Sequence, residues 1–186
     1  MYGFNEPYWT NPATGRNDFE CGFYTADDLR AFRRMIRSYW PEARIYHDLG
    51  EPSYWAPGGK LHRRRSCIGN KYRDQTEIAD FVGVWWFPFE IDGYKKESAL
   101  ADLREEIQFI REKMSPAEPV LVGQAFASKS SYLRFPTKAE MSDWNCALRQ
   151  LPAQYLIWYP WRHDSYEENL VDHPDYWPLT VDDACR

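Results

Sequence analysis

The residues able to do chemistry fall at the ends of apolar, strand-like segments: Asn5-Glu6-Pro7, His47-Asp48, Glu90 with Asp92, Gln124, and Trp161-Arg162-His163-Asp164. Carboxylates in such places can carry protons to and from a ligand, while amides and imidazoles can hold its hydroxyl groups. Around them the chain is rich in rings. Nine Trp, thirteen Tyr and ten Phe make 17 % of its 186 residues aromatic, more than a core of this size needs. Flat apolar ring faces with polar edges suit sugars. His47 and His163 have no partner at the helical spacing of H-E-x-x-H, so hydrogen bonding is expected of them and no metal or cofactor is. The run Arg63-Arg64-Arg65 reads as a solvated loop, with contact to a sulfate or uronate as its alternative use.

Charge and hydropathy narrow the classes of partner. With 23 Lys and Arg against 28 Asp and Glu, the net charge of −5 invites no polyanion, so a nucleic-acid partner is not expected. The longest apolar run, residues 81–87, is strand-sized, and no membrane partner is expected. Four cysteines, Cys21, Cys67, Cys146 and Cys185, lack any C-x-x-C pairing. Two disulfides, in any of three connectivities, and four free thiols are both open, and an extracellular location is favoured if they pair. The first residues have neither the basic nor the apolar region of a signal peptide.

The elements that must position these groups alternate. The first residues read as the end of a strand. A helix is expected from Thr25 to Pro41 with Leu29, Phe32, Met35, Ile36 and Tyr39 on its buried stripe. A strand over 43–49, a long loop over 50–70, a short helical segment near 71–78 and a strand over 81–87 follow. Then come a helix over 98–114, a strand over 119–123, and a helix capped by Thr137 and running to about Gln150. A strand over 154–159 and a final helix over 165–172 complete the series. Strands such as Val120–Val122 and Tyr155–Trp158 are continuously apolar, as parallel strands covered on both faces should be. The loops after strands are long and hold the chemistry, and those before strands are short. No Gly-rich phosphate turn follows any strand, which removes support for a nucleotide-binding open sheet. The fold expected is α/β, a single domain over 1–186 of the (β/α)8 TIM-barrel type, with about five βα units.

At this point the chain resembles the C-terminal part, strands four to eight, of a clan A-like (β/α)8 glycoside hydrolase. Asn5-Glu6-Pro7 resembles the strand-four motif whose Glu is the general acid/base. Pro119-Val120-Leu121-Val122-Gly123 resembles strand seven, which ordinarily ends in the nucleophilic Glu; here Gln124 stands there. Gln124-Ala125-Phe126, Arg134-Phe135-Pro136-Thr137 and Glu140-Met141 resemble hydrolase-like barrels in which Gln is native. Ile157-Trp158-Tyr159-Pro160-Trp161 and Asn169-Leu170-Val171-Asp172-His173-Pro174 fit both groups. The resemblance implies that Met1 lies inside strand four. Five strands do not close an eight-stranded barrel, so either the chain is a fragment or a second chain or copy completes it.

Cleaving a glycosidic bond ordinarily takes two carboxyl groups, one protonating the leaving oxygen and one attacking or activating water. The resemblance assigns the first role to Glu6, with Asn5 holding a sugar hydroxyl. Gln124, a neutral amide, can only orient a water or bind a hydroxyl. Asp48 and Glu90 are the substitute carboxylates, in the role of an inverting base. Substrate binding is expected of Asn5, His47, Trp86, Gln124, Tyr159 and Trp161. Of the neighbours Trp85 and Trp86 only one can face the lumen. A glycosidase acting on a poly- or oligosaccharide, a non-catalytic carbohydrate-binding barrel and a half-barrel assembly subunit are the three functional expectations.

Overall fold

A computed structural model describes residues 26–48, 76–129, 132–159, 166–180 and 185. Asn5, Glu6, the Arg63–Arg65 run, Trp161, Arg162, His163, Asp164, Cys21 and Cys67 lie outside them.

Helix α1 (Ala26–Tyr39) opens with Asp27 and Asp28 and closes with Arg37, each charge opposing the helix dipole at its end. Only part of its expected stripe is buried. Leu29 is fully covered, but Met35 and Tyr39 are 51 % and 73 % exposed, and it is Arg33 and Arg37 that the helix turns inward, to Asp80. Strand β1 (Tyr46–Asp48) is shorter than expected. Strand β2 (Phe81–Trp85) ends two residues early, and the chain turns into a small hairpin, β3 (Phe89–Glu90) with β4 (Gly93–Tyr94).

Helix α2 (Lys96–Lys113) starts two residues before the expected Ser98 and buries Leu100, Leu103, Ile107 and Ile110 at spacings of three and four. Strand β5 (Glu118–Gln124) is buried from its second residue on. A two-residue strand β6 (Phe126–Ala127) follows. Helix α3 (Lys138–Arg149) is capped as its sequence predicts: the Thr137 hydroxyl accepts from the Glu140 amide, and Glu140 accepts from the Thr137 amide in return. Strand β7 (Tyr155–Tyr159) completes the main sheet.

The expected final helix over 165–172 does not form. Glu168–Asn169 is instead a short strand, β8, antiparallel to β6, followed by 3-10 turns over Leu170–Asp172 and Pro174–Thr180. Asn169 is extended, and its amide donates to the Asp172 carboxylate at 3.0 Å. The segment has a single buried apolar anchor in its first turn, Leu170, and Pro174 and Pro178 follow closely, so no helical stripe is available to dock.

The main sheet is parallel throughout and runs β1-β2-β5-β7, in chain order. Val82, Val84, Trp86 and Leu121 share one core with Leu29 of α1, Leu103 and Ile107 of α2, and Trp144 and Leu148 of α3. All three helices therefore cover the same face. A doubly wound sheet would reverse its order and carry helices on both faces. The described fold is a mixed α/β layer with a four-stranded parallel sheet and helices on one side. Gly123 makes the close packing of this side possible. A Cβ there would meet ring carbons of Trp158 on the adjacent strand at 2.6 and 2.7 Å. A disulfide joins Cys146 of α3 to Cys185, so the reading of four free thiols is corrected.

Candidate functional site

Because strand residues alternate faces, register fixes which side chains can reach the uncovered side. The indole of Trp86 is 7 % exposed and sits in the helix-side core. It cannot serve as the ring platform expected of it, and Trp85 occupies the other face. His47 also points to the helix side. It is fully buried, its ring lies 6.4 Å from that of Phe32, and its Nε2 is 3.2 Å from the Ile78 carbonyl. No sugar could reach it there. Asp48 closes β1 with its Cα opposite Gly83; its side chain is outside the described residues.

Gln124 lies at the C-terminal end of β5 with no exposed surface. Its Oε1 accepts from the Phe89 amide at 3.1 Å, and its Nε2 donates to the carbonyls of Phe126 and Arg134, both at 3.1 Å. Both amide hydrogens are thereby used, and a carboxylate in the same place would set its oxygens against two carbonyls. Gln124 is thus a clamp between β5, β3 and the loop before α3, rather than the ligand contact expected of it.

The clamp continues through Arg134. Its guanidinium donates to the Glu90 carbonyl at 3.1 Å and grips Glu140 with two nitrogens at 2.7 and 2.6 Å. That bond, helped by the Thr137 amide and hydroxyl and opposed by burial, holds the Glu140 carboxyl at about 2. Sequence reading registered Thr137 as a cap but gave no sign that Arg134 would tie the cap to the strand ends.

Above the clamp lies a group of five rings at the C-terminal ends of the strands. Trp85 and Phe87 are 4.5 Å apart between centroids, Phe87 meets Phe126 edge-on at 4.9 Å, and Phe126 stacks on Tyr166 at 4.3 Å. Tyr159 joins them, 6.1 Å from Phe126 and 6.5 Å from Trp85, and keeps 36 % of its surface exposed. The Trp85 indole N–H is buried and has no acceptor. Such a group offers the exposed Tyr159 ring to a ligand that carries hydroxyls on an apolar frame. Of these rings Tyr159 is one expected to bind substrate; no periodicity marks the two-residue strand β6 or the segment before β8, which supply Phe126 and Tyr166.

Glu90, on the hairpin after β2, has its carboxyl raised above the ordinary value by burial first and by the neighbouring Asp92 second, against the pull of Lys95. A carboxyl that holds its proton longer than usual suits general acid or base work. Among the described residues no cluster of His, Cys, Asp and Glu could hold a metal ion, and no helix is long and apolar enough to cross a membrane.

A cavity lies at the opposite end. A groove of about 840 Å³ runs along the uncovered face from the N-terminal ends of the strands, over Tyr46, Phe81, Val120, Tyr155 and Ile157. Tyr155 and Ile157 are 48 % and 44 % exposed there. A scan of protein-family models finds none that matches the chain, and a search of curated proteins finds no match either.

Proposed function

We propose that the chain is a carbohydrate-binding, glycoside hydrolase-like protein of the (β/α)8-barrel type, with its ligand at the C-terminal ends of the strands. The observation that carries the proposal is the ring group of Trp85, Phe87, Phe126, Tyr159 and Tyr166, with Tyr159 open to solvent, on a parallel sheet in chain order with helices on one face. In this reading β1, β2, β5 and β7 are strands five to eight, and the uncovered face is the lumen. Further strands, from a longer form of this chain or from a second chain or copy, would close it. Glu6 is the general acid/base and Asn5 its hydroxyl-holding neighbour, by resemblance. Glu90 is the second carboxyl supported by its environment, and Asp48 the other candidate. The Cys146–Cys185 disulfide fits an oxidising, extracellular setting.

A second reading, binding without turnover, is favoured by Gln124. Its amide is built into the clamp, so the position of the usual nucleophile is structural. The test is to measure reducing-end release and calorimetric binding with cello-, xylo-, laminari- and chito-oligosaccharides for the wild type and Glu6→Gln. Turnover that Glu6→Gln removes while binding stays supports the hydrolase. Binding with no turnover supports the second reading. Neither binding nor turnover on any of the four series would sink both.

A further inference from the structure

On the outer side of α1, away from the ring group, Arg30, Arg33, Arg34 and Arg37 share one helical face at spacings of three and four. With Ser38 and Glu77 they line a groove of about 370 Å³. Its inner wall is partly neutralised. Arg33 and Arg37 each place Nη2 2.8 Å from Asp80 Oδ1, while Oδ2 of the same carboxylate accepts from the Ile45 amide. Arg30 is bonded to the Thr76 carbonyl and to Asp27 at the exposed rim.

What remains is unspent donor capacity. The Arg33 Nε–H is buried and has no acceptor. Among the described residues no hydrogen bond or ion pair engages the Arg34 guanidinium, and its side chain is exposed. Glu77 turns its carbonyl, not its carboxylate, to Arg33, at 3.4 Å. The one carboxylate that holds two of the cations has both its oxygens engaged.

We propose that this groove binds a tetrahedral oxyanion, phosphate or sulfate, free or carried as an ester on a small molecule. The fork geometry of guanidinium matches such an anion with paired hydrogen bonds, and the Arg33 Nε–H and the Arg34 guanidinium are uncommitted donors on residues that line the groove. The groove borders the N-terminal end of β2, at the opposite end of the sheet from the ring group. Its occupancy is independent of any carbohydrate bound there.

The test is calorimetric titration of the whole chain with inorganic phosphate and, separately, with glucose 6-phosphate. Ionic strength is matched with chloride, and glucose is the neutral control. Saturable millimolar binding of phosphate is expected, weakened roughly tenfold or more in Arg34→Glu, the loss expected for one charge-assisted contact. Arg34→Glu should fold normally, since that side chain is exposed. Arg33→Lys keeps a cation for Asp80 but removes Nε, and it should weaken binding with little change in melting temperature. Equal affinity for both ligands means that the oxyanion alone is recognised; tighter glucose 6-phosphate means an ester is the natural form. Absence of saturable binding by either, or unchanged affinity in Arg34→Glu, would overturn the site.

Discussion

The two faces of the main sheet are built from alternate residues of the same strands, yet they are finished differently. Toward the helices, Val82, Val84, Trp86, Leu121 and Trp158 interlock with α1, α2 and α3. Toward the other side, Tyr46, Phe81, Val120, Tyr155 and Ile157 border an open groove, and only the strand ends, with Gln124 and the ring group, are closed over. A parallel sheet ordinarily has both faces covered. The helix side has the packing of a completed core. Among the described residues the other side has the composition of one without a cover.

Substitutions on the two faces should separate accordingly. The largest effect is expected from Trp86→Ala, which empties a buried site between sheet and helices and should cost about 3–5 kcal/mol in urea unfolding. A loss below about 1 kcal/mol would mean that the indole is not in the core. Next comes Gly123→Ala, whose new methyl group would collide with the Trp158 ring. Overpacking of this kind costs about 1–3 kcal/mol, and pairing it with a smaller residue at 158 should recover part of the loss. If Gly123→Ala is neutral, Trp158 does not lie over the glycine.

Glu140→Gln probes the clamp that closes the strand ends. Its carboxyl sits at about 2 in the fold against an ordinary 4.5, so the folded state prefers the ionised form. That preference stabilises fully above about pH 4.5 and is lost as pH falls through about 2. After allowance for partial exposure, Glu140→Gln should cost roughly 2 kcal/mol at pH 7. The gap to wild type should close on acidification, and a gap that stayed constant with pH would remove the ionic part of the explanation. The smallest effect belongs to the uncovered face. Ile157→Ala, at a half-exposed position, should shift stability by no more than about 0.5 kcal/mol in dilute solution. A cost of about 2 kcal/mol or more there would mean that this face is covered in solution.

How far the sequence could be read depended on which force set each element. Helices α2 and α3 were legible because long stripes such as Leu100, Leu103, Ile107 and Ile110, and a cap such as Thr137-x-x-Glu140, act locally. The chain order of parallel strands was legible for a similar reason. Which of Trp85 and Trp86 faces away from the helices was not, since alternation gives only that they differ and register supplies the phase. Gln124 and His47 looked like site residues because polar groups at strand ends usually are. Their tertiary partners, the carbonyls of Phe126, Arg134 and Ile78, are not local and leave no trace in spacing. The segment over 165–172 failed as a helix through the Asn169–Asp172 bond and the prolines beyond it.

The most direct measurement is of the indole N–H resonances in a nitrogen–proton correlation spectrum during titration with the four oligosaccharide series, assigned through single Trp→Phe variants. Binding at the ring group requires the Trp85 signal to move on saturation, with Trp86, Trp144 and Trp158 unmoved behind the sheet. It also requires Tyr159→Ala to abolish the movement. A Trp85 signal that stays in place while any of these oligosaccharides binds would contradict a carbohydrate site at the C-terminal ends of the strands.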